Sequence, residues 1–233
     1  VAPRTENNQG PIAMPDEVTV RPGRAVTIPV LTNDYDVDGD SFTFAPERPP
    51  EMPFETEIVN DQFLAMRAPN EEGDFVGKYY VQDVRGAQGN GSVYLHVQKD
   101  APLLTPIAND DQLLVNDILG KEWVSADVLA NDYDIDGSRD QLTITVPDMP
   151  TSRVVVQDRK ISVKVQNEMQ QIRYQITDAD GNVAFAVLLV PGLNDSIPVL
   201  VDPGQVHEVV SGDVFTINLA TMVKGTAGRA TRL

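Results

Sequence analysis

The sequence predicts an all-β chain: two tandem β-sandwiches of about seven strands each, followed by a truncated third copy. Three observations carry this. An acidic phrase, Asn33-Asp34-Tyr35-Asp36-Val37-Asp38-Gly39-Asp40, returns as Asn131-Asp132-Tyr133-Asp134-Ile135-Asp136-Gly137 with Asp140 three residues on, and self-similarity at a fixed spacing marks a repeat architecture. Around each copy, short apolar segments with period-2 alternation recur between turn-forming residues, which is the pattern of a sandwich. No stretch shows a convincing helical period, and the 17 prolines and 16 glycines point the same way.

Residues 1–10 are polar and aperiodic and read as a linker. Repeat one covers 11–99 and opens at Pro11-Ile12-Ala13. Its expected strands are 18–20, 25–30, 41–44, 55–59, 63–66, 76–82 and 92–98. Alternation is clearest in Val26-Thr27-Ile28-Pro29-Val30 and Val93-Tyr94-Leu95-His96-Val97. Turn residues separate the strands, as in Arg21-Pro22-Gly23, Asn60-Asp61 and the glycine-rich run 86–91. Repeat two covers 106–193, opens at Pro106-Ile107-Ala108-Asn109-Asp110-Asp111, and matches with strands at 112–115, 122–125, 142–146, 153–157, 160–165, 172–177 and 183–190. The join falls near 99–106. Residues 197–233 begin a third repeat that lacks the acidic loop, with Met222-Val223-Lys224-Gly225 in its place, and lacks the later strands. The abrupt start at Val1 and the stop inside a pattern at Leu233 read as a piece of a longer chain.

The acidic loops hold the candidate ligands: Asp34, Asp36, Asp38 and Asp40 in the first, Asp132, Asp134, Asp136 and Asp140 in the second. Alternate positions of an extended segment project to one side. Clustered carboxylates repel unless a cation or solvent intervenes, and Asp-x-Asp-x-Asp-Gly is one way to wrap hard oxygen ligands around Ca²⁺. The glycine is expected to permit a turn with positive φ. Two readings stand at this point, a Ca²⁺ site or a solvated turn in which Asn and Asp cap their own backbone. No glutamate closes either loop at its twelfth position, where Ala45 and Thr143 stand, so a site here belongs with the weak extracellular modules. Asp110, Asp111, Asp178 and Asp180 form a second candidate cluster.

Composition bounds the function. The chain has 233 residues, 35 acidic against 18 basic, for a formal net charge of -17. That surface argues against nucleic acid and against insertion into or binding to an anionic membrane. There is no cysteine, so neither disulfides nor thiolate chemistry is available. The two histidines, His96 and His207, are 111 positions apart with no triad or zinc pattern around them, and His96 is placed on the solvent face of its strand. No nucleophile elbow, P-loop or dinucleotide fingerprint is present. Aromatics make up 6% of the chain, too few for the walls of a glycosidase cleft. The single tryptophan, Trp123, falls in an early strand and is expected in the core, with an exposed ligand platform as the alternative. The expectation is therefore a protein without enzymatic activity.

The phrase Val128-Leu129-Ala130-Asn131-Asp132-Tyr133-Asp134-Ile135-Asp136-Gly137 followed by Leu142-Thr143-Ile144, the Pro-Ile-Ala-x-Asp-Asp opening and the Tyr-x-x-x-Asp-x-x-Gly ending resemble the bacterial Ig-like, cadherin-like tandem repeats of large surface proteins and adhesins. The resemblance covers 11–193 and part of 197–233. It implies Ig-like sandwiches strung in series outside the cell, secreted or attached to its surface, often with Ca²⁺ near domain junctions. Repeat one departs from it at Met14-Pro15-Asp16-Glu17 and at Arg85, which stands where repeat two has Asp180. The expected role is a rod-like structural or adhesive spacer whose partners are neighbouring repeats and a host or cell-surface protein or carbohydrate. The alternative is a carbohydrate- or protein-binding module that uses loops at one end of a sandwich.

Overall fold

The computed structural model describes residues 8–147, 150–195, 199–200 and 223–224. Repeat one forms seven strands: β1 Asp16–Val20, β2 Ala25–Ile28, β3 Phe42–Phe44, β4 Thr56–Val59, β5 Phe63–Arg67, β6 Gly73–Asp83 and β7 Gln88–Val97. They make two sheets, β1-β7-β6-β3 and β2-β5-β4. The turn residues do the separating. Asn60 and Asp61 take positive φ between β4 and β5, a conformation Asn and Asp tolerate better than most residues.

The period-2 pattern becomes the core. Val93, Leu95 and Val97 of β7 are buried and meet Val18 and Val20 of β1, Tyr79 and Val81 of β6 and, from the other sheet, Val26, Ile28, Leu64 and Met66. This is a sandwich closed by one hydrophobic layer. His96 lies on the opposite face of β7 from that layer, with its Nδ1 2.6 Å from Asp74 and its Nε2 3.1 Å from Glu17.

Repeat two also forms seven strands: β8 Asp111–Gln112, β9 Trp123–Ala126, β10 Thr143–Thr145, β11 Val154–Gln157, β12 Lys160–Lys164, β13 Gln170–Thr177 and β14 Val183–Val190. The sheets are β10-β13-β14-β8 and β11-β12-β9. Two expectations change here. Val115, expected to end a strand, begins the short helix α1 Val115–Ile118, because Asp117 reaches back to the Leu114 amide at 2.7 Å and closes a helical turn. Trp123 is not in the core. Val124 and Ala126 occupy the inward positions of β9, so the alternation turns Trp123 outward, where it is 38% exposed.

Within 197–233, expected to begin a third repeat, β15 Val199–Leu200 pairs antiparallel with β16 Val223–Lys224; the rest of that expected unit lies outside the described residues.

The chain divides into two compact units. The first comprises Val1–Ala108, Leu129–Thr143 and Ile176–Ala184, and the second Asn109–Val128, Ile144–Gln175 and Phe185–Leu233. The second acidic loop thus belongs to the same compact unit as repeat one.

Candidate cation site

Both acidic loops are tied to the opening of their own repeat by the same two-bond bridge. In the first, Ile12 and Tyr35 exchange backbone hydrogen bonds at 2.8 and 3.1 Å; in the second, Ile107 and Tyr133 do so at 2.8 and 3.1 Å. The repeated sequence therefore gives a repeated anchor. Beyond the anchor the two loops differ.

In loop one the carboxylates serve the protein's own donors. Asp34 takes the Tyr79 hydroxyl at 2.9 and 3.0 Å and the Met14 amide at 2.7 Å. Asp36 Oδ1 caps the amides of Asp38 and Asp40, and Asp38 Oδ2 accepts from the Gln9 amide. Asp40 is buried beside Arg85, 3.6 Å away. Gly39 has φ 74°, with open space where a Cβ would stand, so this glycine serves backbone conformation as expected.

In loop two, Asp132, Asp134 and Asp136 are buried to 2% exposure or less, and Asp178 joins them from the turn after β13. Asp136 Oδ1 accepts from the Leu104 amide at 3.2 Å. Asp178 Oδ1 takes the amides of Asp180 and Asn182, and its Oδ2 takes the Asn182 side chain, which also donates to the Leu104 carbonyl. The Asp134 carboxyl is hydrogen-bonded to Asp136, but its Oδ1 is buried with no hydrogen-bond partner, as is Asp36 Oδ2 in loop one. Burial first, then the charges of Asp136 and Asp178, push its carboxyl up to about 7. Gly137 works differently from Gly39. A Cβ there would run into the Asp134 carboxylate, so this glycine gives room to a buried acid rather than a positive φ. Asp140 is exposed in the 3-10 turn Arg139–Gln141, with its amide on the Ser138 hydroxyl, and Ser138 occupies the position that Asp40 has in loop one.

Repeat one supplies the counter-charge. Arg24 Nε donates to the Asp136 carbonyl at 2.7 Å, its Nη2 to Asp136 Oδ2 at 3.1 Å, and its Nη1 to Asp180 Oδ1 at 3.1 Å, with a further short ion pair from Nη2 to Asp180 Oδ2. The Asp180 bond raises the Arg24 pKa further, and the same bond holds Asp180 below the usual carboxylate range. Thr27 adds its amide to the Ile135 carbonyl and its hydroxyl to the Gly137 carbonyl, Asn60 donates to the Ala130 carbonyl, and the Phe63 and Tyr133 rings lie 5.3 Å apart.

Of the second sequence cluster, Asp178 and Asp180 lie at loop two. Asp110 and Asp111 belong to the other unit and hold the Val187 amide and the Tyr174 hydroxyl. Arg24 carries no sequence signature. The one available hint is the exchange of Asp180 for Arg85 between repeats, which says that the two loops obtain positive charge from different places.

The donor set of loop two is hard oxygen, and the buried Asp134 Oδ1 lacks a donor, which suits a hard divalent cation. Among the described residues no three His, Cys, Asp or Glu side chains stand close enough together to cage an ion as they are.

A family profile described as "Bacterial Ig domain" matches residues 8–96 and 100–190. No curated protein matches the chain. Among solved structures it is similar to an endo-fucoidan hydrolase of glycoside hydrolase family 107 at 14% identity and TM-score 0.30, covering 81% of this chain and 35% of the other. It is also similar to protocadherin gamma C5 EC1-3 at 13% identity and TM-score 0.30, covering 78% of this chain and 68% of that one. For the human desmocollin-1 ectodomain the values are 11% identity and TM-score 0.32, covering 87% of this chain and 39% of that one. The chain spans about a third of the length of the hydrolase.

Proposed function

The chain belongs to the bacterial Ig domain family, and on that premise we propose that it is a non-catalytic, rod-like spacer or adhesive segment of a secreted or cell-surface bacterial protein, with its second acidic loop stabilised by Ca²⁺. The spacer reading is supported by the tandem repeats. Among the described residues no helix is long and apolar enough to cross a membrane.

The observation that carries the Ca²⁺ reading is the unpartnered Asp134 Oδ1 among buried carboxylates. Ionising a carboxyl this deeply buried is costly, which is why it is raised to about 7, and a bound cation would favour the ionised form. Asp132, Asp134 and Asp136 would hold the ion once their side chains turn toward it, and the ion would supply positive charge that Arg24 does not bring to Asp134 by a direct bond. In loop one the carboxylates of Asp34, Asp36 and Asp38 accept protein donors and Arg85 lies beside Asp40, although Asp36 Oδ2 is likewise buried without a hydrogen-bond partner; what favours loop two is the deeper burial of Asp132, Asp134 and Asp136.

With a dissociation constant near ~10⁻⁴ M and ~1 mM free Ca²⁺, linkage gives about 1.4 kcal/mol and a melting shift of a few degrees. Calorimetric titration of the whole chain and thermal melting in Ca²⁺ against NaCl of equal ionic strength test this. Identical melts in the two salts would reduce the loops to acidic turns.

A second reading, carbohydrate binding, is favoured by one observation. Trp123 is exposed on an open groove of about 590 Å³ that also presents Gln112, Asp117, Lys121 and Ser125. Aromatic faces flanked by polar groups suit sugar rings. Tryptophan fluorescence during titration with soluble oligosaccharides checks it, and an unchanged spectrum removes it.

A further inference from the structure

The acidic loops share a feature beyond their carboxylates: each has an arginine brought to one of its carboxylates from elsewhere in the chain, and loop two also contains Arg139, whose Nε donates to the Leu129 carbonyl. In loop one it is Arg85, from the turn after β6, beside Asp40 at 3.6 Å. In loop two the equivalent turn position is Asp180, and the arginine instead arrives from Arg24, 112 residues before Asp136 in sequence. Arg24 is held at its root. Gly23 takes φ 70° in the turn before it, the Arg24 carbonyl accepts from the Ala68 amide at 2.8 Å, and Arg67 donates to the Gly23 carbonyl at 2.7 Å. Its guanidinium then engages three oxygens of loop two and the following turn besides the short Asp180 contact, in the forked geometry that suits carboxylates. It makes no hydrogen bond to Asp134, on which it acts through space only, and Asp134 Oδ1 stays without a hydrogen-bond partner.

We propose that Arg24 is a cation carried by the chain for the outer half of the loop-two cluster: it neutralises Asp136 and Asp180, leaves Asp134 to a mobile divalent ion, and so sets how weakly that ion is held. This rests on the Ca²⁺ reading given above. A fixed positive charge beside the site repels an arriving cation and occupies an oxygen the ion would otherwise share. The chain thus keeps the loop attached at low Ca²⁺, and the ion adds to that attachment rather than creating it.

The test uses the whole chain, stripped with EDTA and titrated with CaCl₂ by calorimetry, with folding followed by far-ultraviolet circular dichroism. Arg24→Gln is expected to melt below the parent in EDTA, to bind Ca²⁺ about tenfold more tightly because a nearby positive charge is gone, and to recover most of its melting temperature at 1 mM Ca²⁺ but not in NaCl of equal ionic strength. Arg24→Lys keeps the charge without the fork, so its affinity stays within about threefold of the parent. It also serves if Arg24→Gln does not fold without Ca²⁺. Affinity in Arg24→Gln equal to or weaker than the parent, or Arg24→Lys binding as tightly as Arg24→Gln, overturns the proposal and leaves Arg24 as a hydrogen-bonded brace. Failure of the Ca²⁺ reading is distinguishable. A parent that binds no Ca²⁺ sinks that reading, while Arg24→Gln gaining a site under the same conditions still supports the role of Arg24. Absence of binding in both overturns both.

Discussion

Replacing Asp16 with Asn is expected to stabilise the protein at pH 8. Asp16 is half-buried at the start of β1, facing Asp34, with one oxygen accepting from the Asn33 side chain at 3.2 Å. Burial first, then the Asp34 charge, raise its carboxyl from 3.8 to about 6. Asp34 is raised as well, chiefly by burial, and burial together with both carboxylates pushes the Tyr79 hydroxyl far above its ordinary range, so that it stays a donor to Asp34. The sign follows from linkage. The folded chain holds a proton on Asp16 that the unfolded chain has released, so stability falls as pH rises between about 4 and 6 and is flat above. About two pH units at about 1.4 kcal/mol each set a ceiling near 3 kcal/mol, and partial exposure brings the expected gain of Asp16→Asn to about 1–3 kcal/mol at pH 8. Asparagine keeps the acceptor for Asn33, so the charge is what changes. Urea unfolding of both proteins at pH 4 and pH 8 measures the difference, which should be near zero at the lower pH. A loss of stability in Asp16→Asn at pH 8, or a gain of equal size at both pH values, would refute the reasoning.

Three further outcomes are expected. Asp134→Asn, which removes a buried carboxylate whose Oδ1 has no hydrogen-bond partner, should raise the melting temperature in EDTA above pH 7 and abolish the Ca²⁺-specific shift; differential scanning calorimetry in both conditions reads this. Gly91→Ala places a Cβ against the fully buried Tyr79 ring, which has no room to yield, and should cost about 1–3 kcal/mol in urea unfolding. His96, raised by its bond to Asp74 and then by Glu17 nearby, should titrate above 6.5 by NMR; its stabilising contribution is complete below the unfolded pKa near ~6.5 and fades as pH climbs through the folded value, a trend that His96→Gln should lack.

Seven strands of repeat one lie where alternation and turn chemistry place them, with ends shifted by a few residues: β6 and β7 run longer than expected because they pair over ten positions from Gly73↔Val97 to Gln82↔Gln88. Backbone pairing extends a strand past the point where its side chains stop alternating. The acidic loops were legible too, as a repeated phrase, together with their dependence on glycine. What each carboxylate does was not legible. Asp34 and Asp132 occupy the same position of the same motif, yet Asp34 is half-buried on Tyr79 while Asp132 is wholly buried. Gly39 and Gly137 match in sequence, but one answers a backbone angle and the other the bulk of Asp134.

Strand period, turn type and the spacing of acids are local properties, decided within a few residues by backbone sterics and side-chain direction, and the sequence by itself determined them. Trp123 shows the limit of even that local reading: alternation requires one face of β9 to be inward, but which face depends on the register with β12, where Val124 meets Val163 and Ala126 meets Ile161. The counter-charge of loop two lies further out of reach. Arg24 reaches Asp136 across 112 residues and Asp180 across 156, and a charge pair at that separation exists only because the tertiary fold places a turn of repeat one against the loop; no periodicity or spacing in the chain encodes the distance between them.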